Sequence, residues 1–415
     1  MRISVRICIG ISLTLLSAIP IAARADEQEP AATTDANPLP AAEAKAPPAL
    51  QPASALTLSA NPEPASFDAG GLGPIYLTGV LSGLGQVQSN ALPSDRSRQF
   101  DIGNAQVFIN KPDGLLQFFL QAGYYSIPVL GMPYIRTSDA TPTFFGPVAQ
   151  GYLKIAPTED FSVVVGKLPT LIGAESTFSF QNMNVQRGLL WNQENAVNRG
   201  VQVNYAAGPL TLAASVNDGF YSKRYSWVSM SASYAFDSNN TLAVVAGGNT
   251  NHTDVSTAAT PLFQNNQQIY NLTYTRTEGP WTFQPYLQYT RVPKLPEFGA
   301  KASASTYGGA LLMSYDFGSD AAPALLRKAG FKLPVRLEYI GSTGSAADGA
   351  PNLLYGPGST AWSLTVTPTY QYKRFFGRAE FSYVGARKTA PGLAFGSDGN
   401  SRSQVRGLLE FGLLL

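Results

Sequence analysis

Residues 270–290 read YNLTYTRTEGPWTFQPYLQYT, and this stretch decides the fold class. On each side of Glu278-Gly279-Pro280, large apolar residues alternate with polar ones, and a period of two places the two sets on opposite faces of a β-strand. The three residues between the two runs are typical of a tight turn. The polar face carries Thr, Asn and Gln, which suits contact with water better than a dry core. The stretch therefore predicts an antiparallel hairpin with one apolar face and one wet face.

The same unit recurs from Pro74 to Leu415, where about sixteen strand-like segments are separated by gaps that are alternately long and short. Outer-membrane barrels have this alternation because tight turns join their strands at one rim and longer loops join them at the other. Residues 318–333 depart from it, since they resemble a short helix where a tight turn is expected. The chain predicts an all-β fold, a transmembrane antiparallel β-barrel of about 16 strands, with 14 strands as the alternative count.

The first 68 residues differ in composition from the rest of the chain. Residues 1–25 have a basic start, an apolar run and the small-residue cleavage pattern Ala23-Arg24-Ala25, which together predict a signal peptide. Residues 26–68 hold 12 alanines and 8 prolines without apolar periodicity, which predicts a disordered periplasmic arm. The outer-membrane barrel is then predicted over residues 69–415.

The composition also narrows the function classes. Cys8 is the only cysteine and lies in the predicted signal peptide, so neither disulfides nor cysteine-metal sites are expected. The chain has no phosphate-binding loop and no Gly-x-Ser-x-Gly nucleophile pattern, and its basic residues are scattered, which argues against nucleic acid. We expect no cofactor, no metal and no catalytic residue. An outer-membrane hydrolase with His252, the single histidine, as its base is the less favoured alternative.

Charged residues on the polar phase of strands are the candidate site residues. An Arg or Lys that faces lipid at mid-depth costs about 2–4 kcal/mol, so these side chains are expected to face the lumen. The predicted pore-lining set is Lys154, Arg336, Glu338, Arg378, Glu380, Arg406 and Glu410. Basic members slightly outnumber acidic ones, which predicts a weak anion preference. Alternatively, the same residues form an ion-pair network that braces the wall.

Two long loops are candidates for constriction loops that fold inward and narrow the pore. They are the loops at about 126–147 and 169–198, and their charged residues Arg136, Glu175 and Arg187 are the candidate constriction residues. This prediction rests on loop length alone.

The stretch around these residues also resembles a known family. The matching residues are Val165-Gly166-Lys167-Leu168-Pro169, the aromatic and Asn-rich loop with Phe178, Phe180, Asn182 and Asn184, and Val216-Asn217-Asp218-Gly219-Phe220-Tyr221. They resemble the β-barrel porin-2 (OmpL-like) family of Gram-negative bacteria over roughly residues 70–415. The resemblance implies an outer-membrane diffusion channel for small solutes. The chain departs from such barrels in its last residue, Leu415, where Phe or Trp is usual and is read by the assembly machinery.

Together these observations predict an outer-membrane porin that passes small hydrophilic solutes passively. The expected partners are outer-membrane lipid and lipopolysaccharide, the barrel-assembly machinery and, in a homotrimer, further copies of the chain. The alternative of a different class is a closed structural barrel whose arm tethers the outer membrane to periplasmic partners.

Overall fold

The computed structural model describes residues 58–415, so the predicted signal peptide and most of the predicted arm lie outside the described residues. The strands are β1 (Ala65–Asp68), β2 (Pro74–Gln88), β3 (Arg98–Lys111), β4 (Leu116–Tyr125), β5 (Val148–Ile155), β6 (Phe161–Pro169), β7 (Val197–Ala207), β8 (Leu210–Asn217), β9 (Trp227–Ala235), β10 (Asn240–Asn249), β11 (Gln268–Glu278), β12 (Trp281–Val292), β13 (Ala304–Asp316), β14 (Phe331–Ser342), β15 (Thr360–Val366), β16 (Thr369–Tyr372), β17 (Phe375–Arg387) and β18 (Ser403–Leu414). The helices are α1 (Thr137–Thr143) and α2 (Leu262–Asn265), with short 3-10 turns at Gly70–Leu72, Ser179–Gln181, Leu190–Gln193 and Pro296–Phe298.

The strands form one closed antiparallel barrel. From β2 to β14 each strand pairs with the next, and β15 and β16 each pair with both β14 and β17. β18 pairs with β17 and closes the wall against β2, where Leu414 lies opposite Val80. β15 and β16 keep one register against β17 and form a single wall strand, interrupted where Pro368 has no N–H to donate to the ladder. The short β1 pairs only with the start of β2. The wall therefore has sixteen strands, which confirms the predicted fold class and count.

Turns and loops alternate as the gap lengths predict, so the barrel has a short-turn rim and a long-loop rim. The one long connection at the short-turn rim, residues 317–330, forms successive turns, and the helix suggested there is wrong. The Leu326 N–H bonds the Pro323 carbonyl, three residues back, and Arg327 donates to the carbonyls of Asp320 and Ala322. These contacts favour tight turns over an α-helix.

The two faces of the strands differ as a membrane barrel requires. On β14, Leu337 and Tyr339 are more than 40% exposed on the outer face, while Arg336 and Glu338, which alternate with them, are buried on the inner face. Large apolar side chains occupy outer positions all around the wall, where lipid surrounds such a barrel. None of the helices within residues 58–415 has the length and apolar character needed to cross a membrane.

The last residues of the predicted arm contact the barrel. Residues 65–68 form β1, although the sequence places them in the arm. Closer to the N-terminus, the Ser59 backbone exchanges two hydrogen bonds with the Gln371 side chain: Ser59 N donates to Oε1 at 2.9 Å, and Nε2 donates to Ser59 O at 2.8 Å. Because Gln371 lies on the inner phase of β16, residues 58–62 reach the mouth of the lumen at the short-turn rim.

Candidate functional site: the lumen and its inner segment

The main feature of the lumen is the connection between β6 and β7, residues 170–196, here called the inner segment. Its residues are buried without interruption from Thr177 to Leu190. At one end the Gly173 N–H donates to Asn271 Oδ1 on β11 at 3.3 Å. Further along, Ser179 Oγ bonds Glu410 Oε1 on β18 at 2.9 Å. Since β11 and β18 lie on different sides of the barrel, the inner segment crosses the lumen.

Aromatic side chains fix one part of the inner segment to the wall. Phe178 and Phe180 stack on each other with ring centroids 6.1 Å apart. Phe180 also lies 5.6 Å from the ring of Phe108 on β3, and Phe178 meets Tyr125 on β4 edge to face at 5.1 Å. Buried aromatic pairs of this kind contribute about 0.5–1.5 kcal/mol beyond their area burial. The aromatic residues of the loop are therefore anchors that hold it inside.

Six charged side chains of the barrel wall also meet the inner segment. This charged wall consists of Arg336, Glu338, Arg378, Glu380, Arg406 and Glu410, each of which is at most 6% exposed. Its members lie on the inner phase of β14, β17 and β18.

The acidic members of the charged wall accept hydrogen bonds from the backbone of the inner segment. Glu380 accepts from the N–H groups of Val185 and Gln186, at 2.5 and 3.1 Å, and from the Gln186 side chain at 2.8 Å. Glu338 accepts from the Leu189 N–H at 3.1 Å. Hydrogen bonds to a charged partner contribute more than neutral ones, so these carboxylates hold the inner segment in place.

The basic members donate to backbone carbonyls in the same region. Arg336 bonds the Gln186 carbonyl at 2.7 Å and forms an ion pair with Glu175 of the inner segment. Arg406 donates to the carbonyls of Val129 and Met132, at 3.0 and 2.9 Å, in the loop 126–147. The wall therefore binds both long loops, the inner segment through an ion pair and hydrogen bonds, and the loop 126–147 through hydrogen bonds from Arg406.

Both alternatives drawn from the sequence for these six residues, pore-lining charge and an ion-pair network that braces the wall, require side chains inside the barrel. Their side chains lie inside the barrel, but the inner segment covers them, because its backbone supplies the partners that a buried charge needs. The seventh predicted residue, Lys154 on β5, is half-buried on the inner phase, opposite the exposed Leu153 and Ile155. The sequence pattern predicted the correct face of each strand but did not predict that the inner segment covers that face.

The three candidate constriction residues lie in different surroundings. Glu175 and Arg187 belong to the inner segment, and Arg187 is fully buried, so that burial lowers the pKa of its guanidinium to about 10. Arg136 precedes α1 and is exposed at the long-loop rim, away from these contacts. The structure thus brings Glu175 and Arg187 into the lumen and leaves Arg136 outside it.

Water reaches a different part of the inner wall. On β7–β12, nearer the short-turn rim, the inner positions are half-buried rather than covered. This open strip includes Asn204, Ala213, Ser231, Ser233, Thr241, Thr273, Thr275 and Gln284. These side chains are small and uncharged, and sequence reasoning did not single them out. The signal that could have found them is the polar face of hairpins such as residues 270–290.

Two cavities are lined in part by the inner segment. The middle cavity, about 240 Å³, is bounded by the start of the inner segment and by Gln150 on β5. The loop-side cavity, about 390 Å³, is bounded by the long loops. Both are lined by Ala196. The Glu194 side chain lines the loop-side cavity, and its Oε2 occupies the space that a Cβ on Gly173, a residue of the middle cavity, would fill.

Glu194 is a functional candidate that sequence reasoning missed. Its Oε1 accepts a hydrogen bond from the Tyr286 hydroxyl at 2.6 Å, and the residue is 5% exposed. Burial raises the pKa of its carboxyl to about 8, and the nearby carboxylates of Glu175 and Glu338 act in the same direction. A carboxyl with this pKa between two cavities is suited to change its charge near neutral pH.

His252, the base of the hydrolase alternative, lies in the loop 250–267 at the long-loop rim. Its Nδ1 is 3.6 Å from Glu297 Oε1, and both side chains are about half exposed. This is a loose surface contact between a loop histidine and a loop carboxylate.

Solved structures with a similar fold are outer-membrane proteins. OmpT of Vibrio cholerae is 12% identical, with a TM-score of 0.53, and the match covers 85% of this chain and 100% of that one. The anion-selective porin of Comamonas acidovorans is 11% identical, with a TM-score of 0.55 and coverage of 82% and 99%. The channel DcaP of Acinetobacter baumannii is 10% identical, with a TM-score of 0.53 and coverage of 82% and 97%. At these identities the likeness concerns the fold alone.

The sequence itself identifies the family. No curated protein matches the chain. The family model described as beta-barrel porin-2, OmpL-like, matches residues 74–415, which is the whole barrel from the start of β2. The chain therefore belongs to the beta-barrel porin-2 (OmpL-like) family, and it is a porin of the outer membrane.

Proposed function

We propose that the protein passes small hydrophilic solutes along the open strip, the middle cavity and the loop-side cavity, with a weak preference for anions. The observation that carries this proposal is the contrast between the two sides of the lumen. Near the short-turn rim the inner positions of β7–β12 are half-buried and uncharged, whereas the charged wall on β14, β17 and β18 is covered. Small polar side chains offer hydrogen bonds to a passing solute without binding an ion strongly.

Pairing within the charged wall supports a weak rather than a strong ion preference. Arg378 is paired with Glu410, and Arg336 with Glu175 and Glu338, so these charges largely cancel. Lys154 is the predicted pore residue that stays half-buried on the inner face. A single lysine beside the water-filled part of the lumen favours anions modestly, because salt screens exposed charges within about 10 Å at 0.1 M.

The test is the reversal potential of the protein in a planar bilayer under a salt gradient. We expect a small potential of the anion-selective sign for the wild type, a smaller one for Lys154→Gln and cation preference for Lys154→Glu. Lys328→Gln, at an exposed lysine in the turn 317–330, is the matched control and should behave as the wild type. Clear cation selectivity of the wild type would refute the anion preference.

Orientation and assembly belong to the same proposal. The short-turn rim faces the periplasm, the long-loop rim carries the contacts with lipopolysaccharide, and residues 26–68 are the periplasmic arm. The protein works without catalysis as a homotrimer that the barrel-assembly machinery inserts. Barrels of this type support the orientation, since their short turns are periplasmic. Current steps that come in threes would support the trimer, and single steps from a protein of monomer mass would refute it.

A closed structural barrel is the second candidate, because the inner segment fills much of the lumen and residues 58–62 cover part of the mouth at the short-turn rim. Folded protein that gives no current at any voltage would favour this candidate over the channel. Deletion of the arm, residues 26–68, would then harm the integrity of the cell envelope.

A further inference from the structure

The loop-side cavity differs in chemistry from the rest of the lumen. Four long loops build it, and its lining is largely apolar: Ile127, Val129, Met132, Pro133, Ile135, Phe144, Phe145, Trp191, Val197 and Phe220 contribute, together with Ala258, Ala259 and Pro261. Met132 is 47% exposed. The open strip, in contrast, presents Ser, Thr, Asn and Gln. A passage for hydrophilic solutes alone gains nothing from such a lining, so the cavity points to a solute with an apolar part.

Its size and lining match those of a small-molecule site. Such sites commonly measure about 300–1,000 Å³ and combine an apolar and aromatic lining with a few polar groups that fix orientation. The cavity has a volume of about 390 Å³, and Asn192 and Glu194 are its polar side chains apart from the indole N–H of Trp191. Aromatic side chains offer faces and edges to a further ring at centroid distances of about 4.5–7 Å.

Two polar atoms of this lining have no partner. The Trp191 Nε1–H and the Glu194 Oε2 atom are buried and form no hydrogen bond with any residue between 58 and 415. Buried polar atoms are normally paired, and an unpaired one calls for an explanation. A hydroxyl group can accept from an indole N–H and donate to a carboxyl oxygen, so one ligand group is able to serve both kinds of atom.

We propose that the loop-side cavity is a recognition site for small uncharged aromatic molecules that carry a hydroxyl group. The ring packs among Phe144, Phe145 and Phe220, and the hydroxyl bonds Trp191 or Glu194. This inference rests on the proposed solute route, for which the cavity is the entrance from the long-loop rim. The absence of a fully charged partner in the lining explains why the ligand is a neutral alcohol or phenol rather than an acid.

Calorimetric titration of the detergent-folded full-length barrel with benzyl alcohol tests the site. We expect saturable binding of benzyl alcohol and none of glycerol, which has hydroxyl groups but no ring. Ala259→Phe adds a ring inside the cavity and should weaken binding about tenfold or more, because a loss of affinity of this size is typical when a pocket no longer fits its ligand. Ala347→Phe, in the loop 343–359, is the matched control and should bind as the wild type.

Trp191→Phe keeps a ring and removes the N–H, and it should weaken the binding of benzyl alcohol by several fold. If Ala259→Phe does not fold, this second variant tests whether the cavity binds the ligand. No saturable heat from the wild type, equal binding of glycerol, or unchanged binding by Ala259→Phe and Trp191→Phe would each overturn the site. The conductance of the unliganded wild type separates the two proposals. Normal current without binding refutes only the site, whereas binding without current refutes the solute route.

Discussion

Arg378 on β17 and Glu410 on β18 form an ion pair that joins the barrel wall to the inner segment. Arg378 Nε donates to Glu410 Oε2 at 2.9 Å, and its Nη2 bonds the same oxygen. The other carboxylate oxygen accepts from Ser82 on β2 and from Ser179 of the inner segment, both at 2.9 Å. Arg378 also donates to the Asn182 carbonyl at 3.1 Å. One buried pair thereby ties three wall strands to two points of the inner segment.

Removing the charge of Glu410 should destabilise the barrel strongly. Glu410→Gln keeps the size of the side chain but leaves the buried Arg378 without its anion, a change that typically costs about 3–5 kcal/mol. Urea titration of the detergent-folded protein, followed by tryptophan fluorescence, measures the free energy of unfolding. Glu278→Gln, in the exposed pair with Arg276, is the control and should change that free energy by no more than about 1 kcal/mol. Equal effects of the two substitutions would contradict the structural role of the pair.

Glu380 should hold the inner segment in place through its hydrogen bonds. Glu380→Ala removes the acceptor of the Val185 and Gln186 N–H groups, and each hydrogen bond to a charged group contributes about 1.5–3 kcal/mol. We expect larger and noisier single-channel currents, because the released segment moves in the lumen. Glu297→Ala, at a half-exposed glutamate of the long-loop rim, should leave the current unchanged. A quiet, wild-type current from Glu380→Ala would mean that other contacts hold the segment.

Ion preference should depend on pH through Glu194. Its pKa of about 8 means that the carboxyl is mostly neutral at pH 7 and becomes an anion as the pH rises. The anion preference should therefore fall between about pH 7 and 9, and Glu194→Gln should abolish that part of the change. Reversal potentials across this range provide the measurement. A pH dependence that is identical in the wild type and in Glu194→Gln would rule Glu194 out.

The same group predicts the direction of a stability change. Its pKa in the folded protein lies above the ordinary value of 4.5, so the folded state binds the proton more tightly than the unfolded state. The tighter binding of this proton stabilises the folded state. That stabilisation is fully present below about pH 4.5 and is lost as the pH rises through about 8. Glu194→Gln should lose less stability than the wild type between pH 7 and 9.

Residues 58–62 should restrict the mouth of the lumen at the short-turn rim. Gln371→Ala removes both hydrogen bonds to the Ser59 backbone, and each contributes about 0.5–1.5 kcal/mol. If the segment then leaves the mouth, single-channel conductance rises. Gln117→Ala, at a half-buried glutamine of the same rim on β4, is the control. Unchanged conductance in Gln371→Ala would show that the segment does not limit the current.

The fold was predictable because its signals are local. Each hairpin carries its own period of two and its own turn, as residues 270–290 show, and a closed count of sixteen follows from repeating that unit. The helix suggested at 318–333 was wrong because tertiary contacts override helix propensity there. Arg327 bonds the Asp320 carbonyl, and the segment must also join two neighbouring strands.

The site was predictable only in part because it depends on contacts between distant residues. Strand alternation placed Arg336 and Glu380 on the inner face, but the partners of Glu380 lie almost 200 residues away, at Val185 and Gln186. The local sequence around Glu380 contains no signal that a distant loop will cover its charge. Ser231 and Thr273 of the open strip are marked only by the polar face of their strands, and that signal does not set them apart, since small polar residues are ordinary on a wet strand face.

The most direct test of the account is whether the open strip, and not the charged wall, lines the conducting path. Ser231→Cys on β9 and Ser382→Cys on β17 are matched substitutions at inner positions, the first half-buried and the second 1% exposed. A charged methanethiosulfonate reagent is added to each variant, without residues 1–25 and therefore without Cys8, during single-channel recording. If the open strip lines the path, the current through Ser231→Cys falls in a step, whereas the current through Ser382→Cys stays constant. Block of Ser382→Cys with no effect on Ser231→Cys would contradict it and place the path along the charged wall.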